Sequence, residues 1–326
     1  MVFADIFGGG LLRVLNSAHT SIRKPARRRG TACRANRKVA EAVALLLRAS
    51  PTDVGTLASF SAGASHTCAL QADGRPVCFG PIDGADKAPN STCLSISSGH
   101  YHACAVTSEL LLYCFGENWA GQCEVPAGLG PVLTASGGLH HTCAVKVDGQ
   151  LVCFGGNERG ECNVPPDLHS VGTVSAGGQH TCALKTDGRL VCFGSNNVGQ
   201  CDVPADIGPV LAVSAGNHHT CAINVGGHLV CFGWNSRGQC DVPEDLQAVV
   251  AVSAGAVHTC AVRSDGQLLC FGANHAGQCD VPADLGPVVA VSAGSAHTCV
   301  LRRDGRLVCF GLNQTGQCNV GGPKTP

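Results

Sequence analysis

The sequence predicts an all-β fold, a seven-bladed β-propeller with three- to four-stranded blades. The string Ser-Ala-Gly-x-x-His-Thr-Cys recurs with small variations seven times, and its histidines are separated by 36 residues once and then by 39 residues five times. Each unit contains short β-branched apolar runs interrupted by glycine, a pattern typical of strands and wrong for helices. Repeats of about 40 residues that contain several strands favour propeller blades.

One repeat shows how each blade is expected to form. Residues 210–215 form an apolar first strand, residues 219–224 a second strand, and residues 229–232 a third. Most units place Asp-Gly between the second and third strands, as at Asp187-Gly188. Glycine adopts the positive φ that such hairpin turns need. The following Gly-Gln-Cys-Asp-Val-Pro segment leads to the next unit.

Closure into a ring follows from the instability of a single unit. A lone three-stranded meander buries its faces poorly, so each copy needs a neighbour on both sides. The alternative, a linear β-solenoid, usually has shorter rungs. The first unit lacks Asn-x-x-Gly-Gln-Cys and the last has Gly321 in place of the repeating proline. We expect these two units to meet and to close the ring without exchanging a long strand.

The chain divides into three segments by composition. We predict a basic, partly helical or disordered N-terminal segment over residues 1–53, the propeller over residues 54–320 and a C-terminal tail over residues 321–326. Residues 1–50 carry ten Lys or Arg against Asp5 and Glu41, a net +8 that leaves −9 on the rest of the chain. The basic segment has the character of a transit peptide, a nuclear import signal or a solvated tail. Without a convincing secretory signal we expect a cytoplasmic or nuclear protein, with organelle targeting as the alternative.

Charge and hydropathy also restrict the partners. Surfaces that bind nucleic acid are usually basic, so we do not expect the acidic propeller to bind it. No run of eighteen uncharged apolar residues occurs, which predicts no membrane span. We expect a monomer whose partner is another protein.

The cysteines form three ranks. Two ranks lie in the second and third strands with nine residues between the members of each pair, as in Cys182 and Cys192. A three-residue turn would place them opposite each other, within reach of a disulfide. Because cytosolic proteins keep their thiols reduced, we favour buried thiols over disulfides. Zinc is disfavoured, since the spacing lacks close cysteine pairs. The third rank follows Gly-Gln or Gly-Glu and is expected to lie in the core.

We expect no catalytic residue, cofactor or metal. A histidine present in every blade is explained most simply by a structural need, such as a hydrogen bond to backbone groups of a neighbouring blade. Additional histidines, His100, His140 and His218, are expected at the surface. No nucleophile motif, phosphate-binding loop or carboxylate pair is found.

The repeated strings Val-Ser-Ala-Gly-x-x-His-Thr-Cys-Ala, Asp-Gly-x-Leu-Val-Cys-Phe-Gly and Asn-x-x-Gly-Gln-Cys resemble the repeats of the regulator of chromosome condensation family over residues 54–320. The uniform 39-residue unit is similar in length to that of the compact bacterial β-lactamase-inhibitory propeller. The resemblance implies a non-catalytic interaction scaffold or regulator. The alternatives that it implies are a nucleotide-exchange regulator of a small GTPase such as Ran and a substrate-recognition propeller related to those of HECT-type ubiquitin ligases.

A partner is expected to bind where the repeats differ. Two windows vary: the two residues before each repeated histidine, and the residues around the asparagine that follows the third strand. Aromatic and arginine residues dominate binding hot spots. The candidate partner-binding residues are Tyr101, Trp119, Arg159, Gln179, His218, Trp234, Arg237 and His275.

Overall fold

A computed structural model of the chain describes residues 59–320. The basic N-terminal segment predicted over residues 1–53 and the tail predicted over residues 321–326 lie outside the described residues. Within those residues the propeller accounts for almost all regular structure.

Seven antiparallel sheets, each made of three strands consecutive in sequence, form the seven blades. The predicted fold class is therefore confirmed, with three strands in each described blade. The segment that leads to the next blade forms turns, not a fourth strand. A short 3-10 helix, Ala85–Lys87, follows the first blade. The strands are β1 Ser59–Ala62, β2 Thr67–Leu70, β3 Pro76–Phe79; β4 Cys93–Ser98, β5 His102–Thr107, β6 Leu112–Gly116; β7 Val132–Gly137, β8 His141–Lys146, β9 Leu151–Gly155; β10 Val171–Ala176, β11 His180–Lys185, β12 Leu190–Gly194; β13 Val210–Ala215, β14 His219–Asn224, β15 Leu229–Gly233; β16 Val249–Ala254, β17 His258–Arg263, β18 Leu268–Gly272; β19 Val288–Ala293, β20 His297–Arg302, β21 Leu307–Gly311.

The turn between the second and third strands has the predicted geometry. In the fourth blade the Lys185 N–H donates to the Arg189 carbonyl, which closes a three-residue loop. Gly188 ends that loop at φ 89°. The second blade has Leu110 at the same position, at φ 62°, a conformation that branched residues rarely adopt.

This turn places the strand cysteines opposite each other, and the structure bonds each of the seven pairs as a disulfide. Their Cα atoms lie 4.0–4.1 Å apart. The structure therefore differs from our expectation of free thiols in these two ranks. A bridge across so short a loop adds about 2–3 kcal/mol in the chain-entropy account. The pairs are Cys68–Cys78, Cys104–Cys114, Cys143–Cys153, Cys182–Cys192, Cys221–Cys231, Cys260–Cys270 and Cys299–Cys309.

The third cysteine rank is half-buried instead of lying fully in the core. Each thiol donates to the carbonyl six residues earlier, as Cys201 does to Ser195. Burial raises the pKa of these thiols to about 11 or 12, so they stay protonated at neutral pH. They therefore act as small packing residues. The members are Cys123, Cys162, Cys201, Cys240, Cys279 and Cys318.

The hydrophobic core lies between neighbouring blades. The cluster between the fourth and fifth blades joins Leu184 and Leu190 of one to Val210 and Val213 of the next. Phe60 of the first blade packs with residues of the seventh in the same way. No blade can bury its apolar face without its neighbours, which is why the repeats close into a ring.

A ring of serine side chains joins the innermost strands. In every blade the serine near the end of the first strand accepts a hydrogen bond from a backbone N–H of the next blade, at 2.9–3.2 Å. Ser292 of the last blade accepts from Ala62 of the first, so the ring is complete. Blades meet without exchanging strands, as expected. The serines are Ser61, Ser97, Ser136, Ser175, Ser214, Ser253 and Ser292.

Backbone hydrogen bonds form a second ring just beyond the serines. The residue after each repeated glycine donates to a carbonyl of the next blade, as Asn217 does to Gly255. Ser295 donates to Gly63 and closes this ring between the last and first blades. The axial cavity inside these rings is narrow, about 70 Å³, and polar groups line it.

The repeated histidines form a third set of links between blades. His102 Nε2 lies 2.8 Å from Thr142 Oγ1 of the next blade, and five further pairs have the same contact at 2.9–3.0 Å. The Thr142 hydroxyl donates to the Gln122 carbonyl, so it accepts from the histidine and assigns the proton to Nε2. The structural role predicted for these histidines is confirmed, but the partner is a threonine hydroxyl of the next blade and not a backbone group.

Glycine at the end of the Ser-Ala-Gly string is needed for this packing. A Cβ on Gly99 would lie within van der Waals overlap of the His102 ring and of the Gly138 carbonyl of the next blade. Any larger residue would push the imidazole away from its threonine.

The circle of histidine–threonine contacts between the blades is interrupted at one junction. The second blade has Ala103 where the other blades have threonine, so no hydroxyl faces His66 of the first blade. Among the described residues, His66 Nε2 is buried without a hydrogen-bond partner. An unpaired buried donor destabilises a fold by about 1–3 kcal/mol.

We predict that Ala103→Thr raises the thermal unfolding midpoint, because the new hydroxyl gives the buried His66 ring a hydrogen-bond partner from the second blade. The matched variant Thr142→Ala removes the equivalent hydroxyl from the His102 pair and should lower the free energy of unfolding by about 1–3 kcal/mol. Calorimetry of both variants measures this. Equal unfolding midpoints for wild type and both variants would show that the histidine–threonine contacts contribute nothing to stability.

Acid should destabilise the propeller over a defined pH range. Burial lowers the pKa of the seven repeated histidines from 6.5 to about 3 or 4. Below pH 6.5 the unfolded chain therefore binds protons that the folded chain excludes, and stability falls as the pH falls towards 4. Each histidine removes up to about 1.4 kcal/mol per pH unit. Denaturant midpoints should be flat above pH 7 and fall steeply below 6.5; a constant midpoint down to pH 4 would contradict this.

The disulfides predict a defined mass change. Reduction of the purified, unfolded protein should add two hydrogens for each of the seven bridges, measured by intact mass spectrometry. Alkylation before reduction should label the third rank and spare the fourteen paired cysteines. Labelling of both members of a pair such as Cys182 and Cys192 in the unreduced protein would contradict the bridge.

Candidate interaction face

The two variable windows lie on one face of the propeller. In the second to seventh blades the residue that follows the third strand donates a backbone hydrogen bond to the residue just before the repeated histidine. Glu117 donates to Tyr101 and Trp234 donates to His218 in this way. We call this side the variable face. The side with the three-residue turns, where Val225 is 52% exposed, is the hairpin face.

Tyr101, Trp119 and His140 form an aromatic group between the second and third blades, here called the Trp119 cluster. The Trp119 and His140 ring centroids are 4.2 Å apart, and Tyr101 stacks on His140 at 6.3 Å. Trp119 is 65% exposed and Tyr101 is 40% exposed, so both rings remain accessible to a partner. The Trp119 Nε1–H donates to Glu117 Oε2 at 2.6 Å.

One carboxylate, Glu117, contacts the Trp119 cluster, and two more act on its His140 from the turn after the third blade. Burial lowers the pKa of His140, while Glu117, Glu158 and Glu161 act in the opposite direction. Burial prevails, so the His140 ring is neutral at neutral pH. The cluster therefore combines neutral aromatic rings with nearby negative charge.

Trp234 and His218 border a cleft between the fourth and fifth blades, here called the Trp234 cleft. Their rings meet edge to face with centroids 6.1 Å apart. The cleft has a volume of about 420 Å³ and no charged side chain in its lining. Burial lowers the pKa of His218, so this ring is also neutral at neutral pH. The lining residues are Gln179, Ser195, Asn197, Val198, Gln200, His218 and Trp234.

The eight candidate residues are thus divided among several blade junctions of one face. Two of them, Tyr101 and Trp119, share a cluster, and three others, Gln179, His218 and Trp234, share a cleft. The remaining three, Arg159, Arg237 and His275, are exposed at separate junctions. Their partner-binding role stays a prediction.

The histidines outside the repeated rank differ from expectation. His100, His140 and His218 are half-buried instead of lying freely at the surface. His100 lines the axial cavity, and burial lowers its pKa to about 4. Glu117 and His140 were missed as site residues, although both lie in the windows that vary between repeats. Their positions next to Trp119 become visible only when the blade junction is assembled.

The turn that follows the third strand has a constant framework around its variable positions. Asn196 Oδ1 accepts from the Cys201 N–H, and its Nδ2 donates to Asp202. The same asparagine contact recurs after the other blades from the second to the seventh. Constant residues therefore hold the turn while its neighbours present different side chains to solvent.

Seven three-stranded sheets closed around an axis, with a repeated set of contacts between blades and loops that differ from blade to blade, define a repeat β-propeller. The part of the chain that the structure describes contains no helix with the length and apolar character needed to cross a bilayer. The chain belongs to the regulator of chromosome condensation (RCC1) repeat family. The repeat profile matches residues 133–161, 173–200, 210–239, 249–278 and 288–317.

Solved structures share this fold at low sequence identity. The CRINKLY WD40 ectodomain of the Arabidopsis thaliana receptor kinase ACR4 is 20% identical, with a TM-score of 0.64 over 83% of this chain and 100% of that one. Prp20p from Saccharomyces cerevisiae, described with its binding to Gsp1p and histones, is 15% identical, with a TM-score of 0.63 over 73% and 80%. Human WBSCR16 is 18% identical, with a TM-score of 0.62 over 76% and 87%. Comparison with curated protein sequences finds no significant match.

Proposed function

We propose that this propeller is a non-catalytic scaffold that binds another protein through its variable face. The observation that carries the proposal is the exposed Trp119 cluster. Trp119 is 65% exposed and belongs to none of the hydrophobic clusters between the blades, so its ring is not needed to fill the core. The same ring is the residue type most enriched in binding hot spots.

The contrast between faces supports this choice of surface. The hairpin face repeats one arrangement, a basic residue paired with the aspartate two positions later, as in Lys146 with Asp148 and Arg263 with Asp265. Such exposed pairs contribute little and recur in most blades. The variable face instead differs from blade to blade, which is what recognition of a particular partner requires.

Nucleotide exchange on a small GTPase and recognition of ligase substrates are finer alternatives within the same family. Prp20p is described as binding Gsp1p, but the likeness to this chain extends to the fold alone. The blades from the second onward are uniform in length and carry no insertion that would act as a wedge. A binding scaffold is therefore the function that the described residues support best.

The compartment is a separate proposal. The cytoplasmic or nuclear location expected from the sequence stays a prediction, and the seven bridges argue against it. Stable disulfides form in oxidising compartments and are rare in the cytosol and nucleus. We therefore propose an oxidising compartment.

Substitution of the two tryptophans should weaken partner capture. Trp119→Ser and Trp234→Ser introduce the residues that stand at the equivalent positions of other blades, Ser236 and Ser195, so both variants should fold. Loss of a hot-spot residue reduces affinity by about thirtyfold. Quantitative affinity capture from the source cell should show at least one variant depleted of the partner.

Val225→Ser on the hairpin face is the matched control and should retain the partner. Depletion by Val225→Ser with retention by both tryptophan variants would place the partner on the hairpin face and overturn the proposal.

A further inference from the structure

We infer that the Trp119 cluster, where an exposed indole packs on His140 and is hydrogen-bonded to the Glu117 carboxylate, is a binding site for an arginine or lysine side chain of the partner protein. This inference rests on the proposed function and specifies the chemistry of what the variable face recognises.

The geometry of Trp119 leaves a ring face for a cation. Its Nε1–H is held by Glu117 Oε2 at 2.6 Å, and one side of the ring meets His140 at 4.2 Å. These two contacts fix the ring, although 65% of the residue stays exposed. A cation over the face of tryptophan gains more than over any other aromatic residue.

Negative charge at the site is not neutralised by neighbouring residues. In the described part of the chain, Glu117, Glu158 and Glu161 take part in no ion pair, because all ion pairs there lie in the hairpin turns. The His140 ring is neutral, since burial lowers its pKa. A basic side chain that contacts Glu117 would therefore break no existing ion pair.

Glu161 adds a charge that the fold does not need. Five other blades have glutamine at this position, where the side-chain oxygen accepts a backbone N–H two residues earlier. Glu161 makes the same contact, accepting from the Arg159 N–H at 2.7 Å, and is only 3% exposed. Because the glutamine satisfies the same bond, the carboxylate is a local departure from the repeat. A charge shielded from water acts on its surroundings more strongly than one in open water.

The Trp234 cleft provides an internal comparison. Its lining contains a tryptophan, a histidine and amides but no carboxylate. The two tryptophans of the variable face therefore differ in charge environment while sharing the same scaffold. Only the Trp119 cluster should prefer a cation.

The test uses defined peptides and fluorescence anisotropy. The probes are labelled octa-arginine and octa-lysine, with a neutral Gly-Ser octapeptide as the uncharged comparison. Wild type should bind both basic probes more tightly than the neutral one. Trp119→Ser should raise the Kd for octa-arginine by about three- to thirtyfold, while Trp234→Ser should leave it unchanged.

Glu161→Gln tests the charge separately from the ring. It introduces the residue found in five blades, so the fold should be retained, and it should raise the Kd for octa-arginine severalfold and flatten its salt dependence. In Trp234→Phe, Trp119 is the remaining tryptophan of the chain, and its emission should change in saturable fashion with octa-arginine.

Equal octa-arginine affinity for wild type, Trp119→Ser and Glu161→Gln would overturn the inference, as would equal binding of the neutral peptide. If partner capture still depended on Trp119 in that case, the proposed scaffold function would stand and only the cationic specificity would fail.

Discussion

Hydrogen bonds between the innermost strands of neighbouring blades are the constraint on which the rest of the molecule depends. Each Ser-Ala-Gly string presents a buried serine oxygen and, on the next residue, a backbone amide, and both find their partners in adjacent blades. Buried polar groups left unpaired are strongly unfavourable. A single blade is therefore incomplete, and so is an open array, whose end blades would each lack a neighbour. The contact of Ala62 with Ser292 completes the ring.

The same constraint explains why the repeats are so uniform. Glycine at the end of the string leaves room for the imidazole, and the imidazole contacts the threonine of the next blade. That threonine donates to a backbone carbonyl in the segment that joins the two blades. Changing one member of this series leaves its neighbour unpaired, as at Ala103 and His66. Apart from Ala103, the serine, glycine, histidine and threonine of this network are the same in every blade, and the side chains that differ on the variable face lie outside it. The residues that join the blades and the residues of the candidate interaction surface are therefore two different sets.

Sequence periodicity predicted the fold, the number of blades, the hairpin turn and the structural role of the repeated histidines. These features are local or recur at a fixed spacing, so they can be inferred from one unit. The pairing of His102 with Thr142 and the assembly of Trp119 with His140 join different repeats, and periodicity gives no distance across a junction. The sequence did not predict the seven disulfides. The geometry of the hairpin permits both bonded and free cysteine pairs, and the redox state of the compartment decides between them.

Trp119 and Trp234 lie at different junctions, and their surroundings differ in charge. A uniform ring that carries chemically distinct pockets is suited to reading several side chains of one partner. The half-buried state of His140 and His218 has the same origin, since each packs between a tryptophan and the blade edge.

Native-state hydrogen exchange at the amides bonded to the serine ring tests the closed ring most directly. We expect the amides of Ala62, Ala215 and Ala293 to be equally protected and to exchange only when the whole propeller unfolds. Much faster exchange at Ala62 than at Ala215 would show that the first and last blades separate in solution, and would contradict the account.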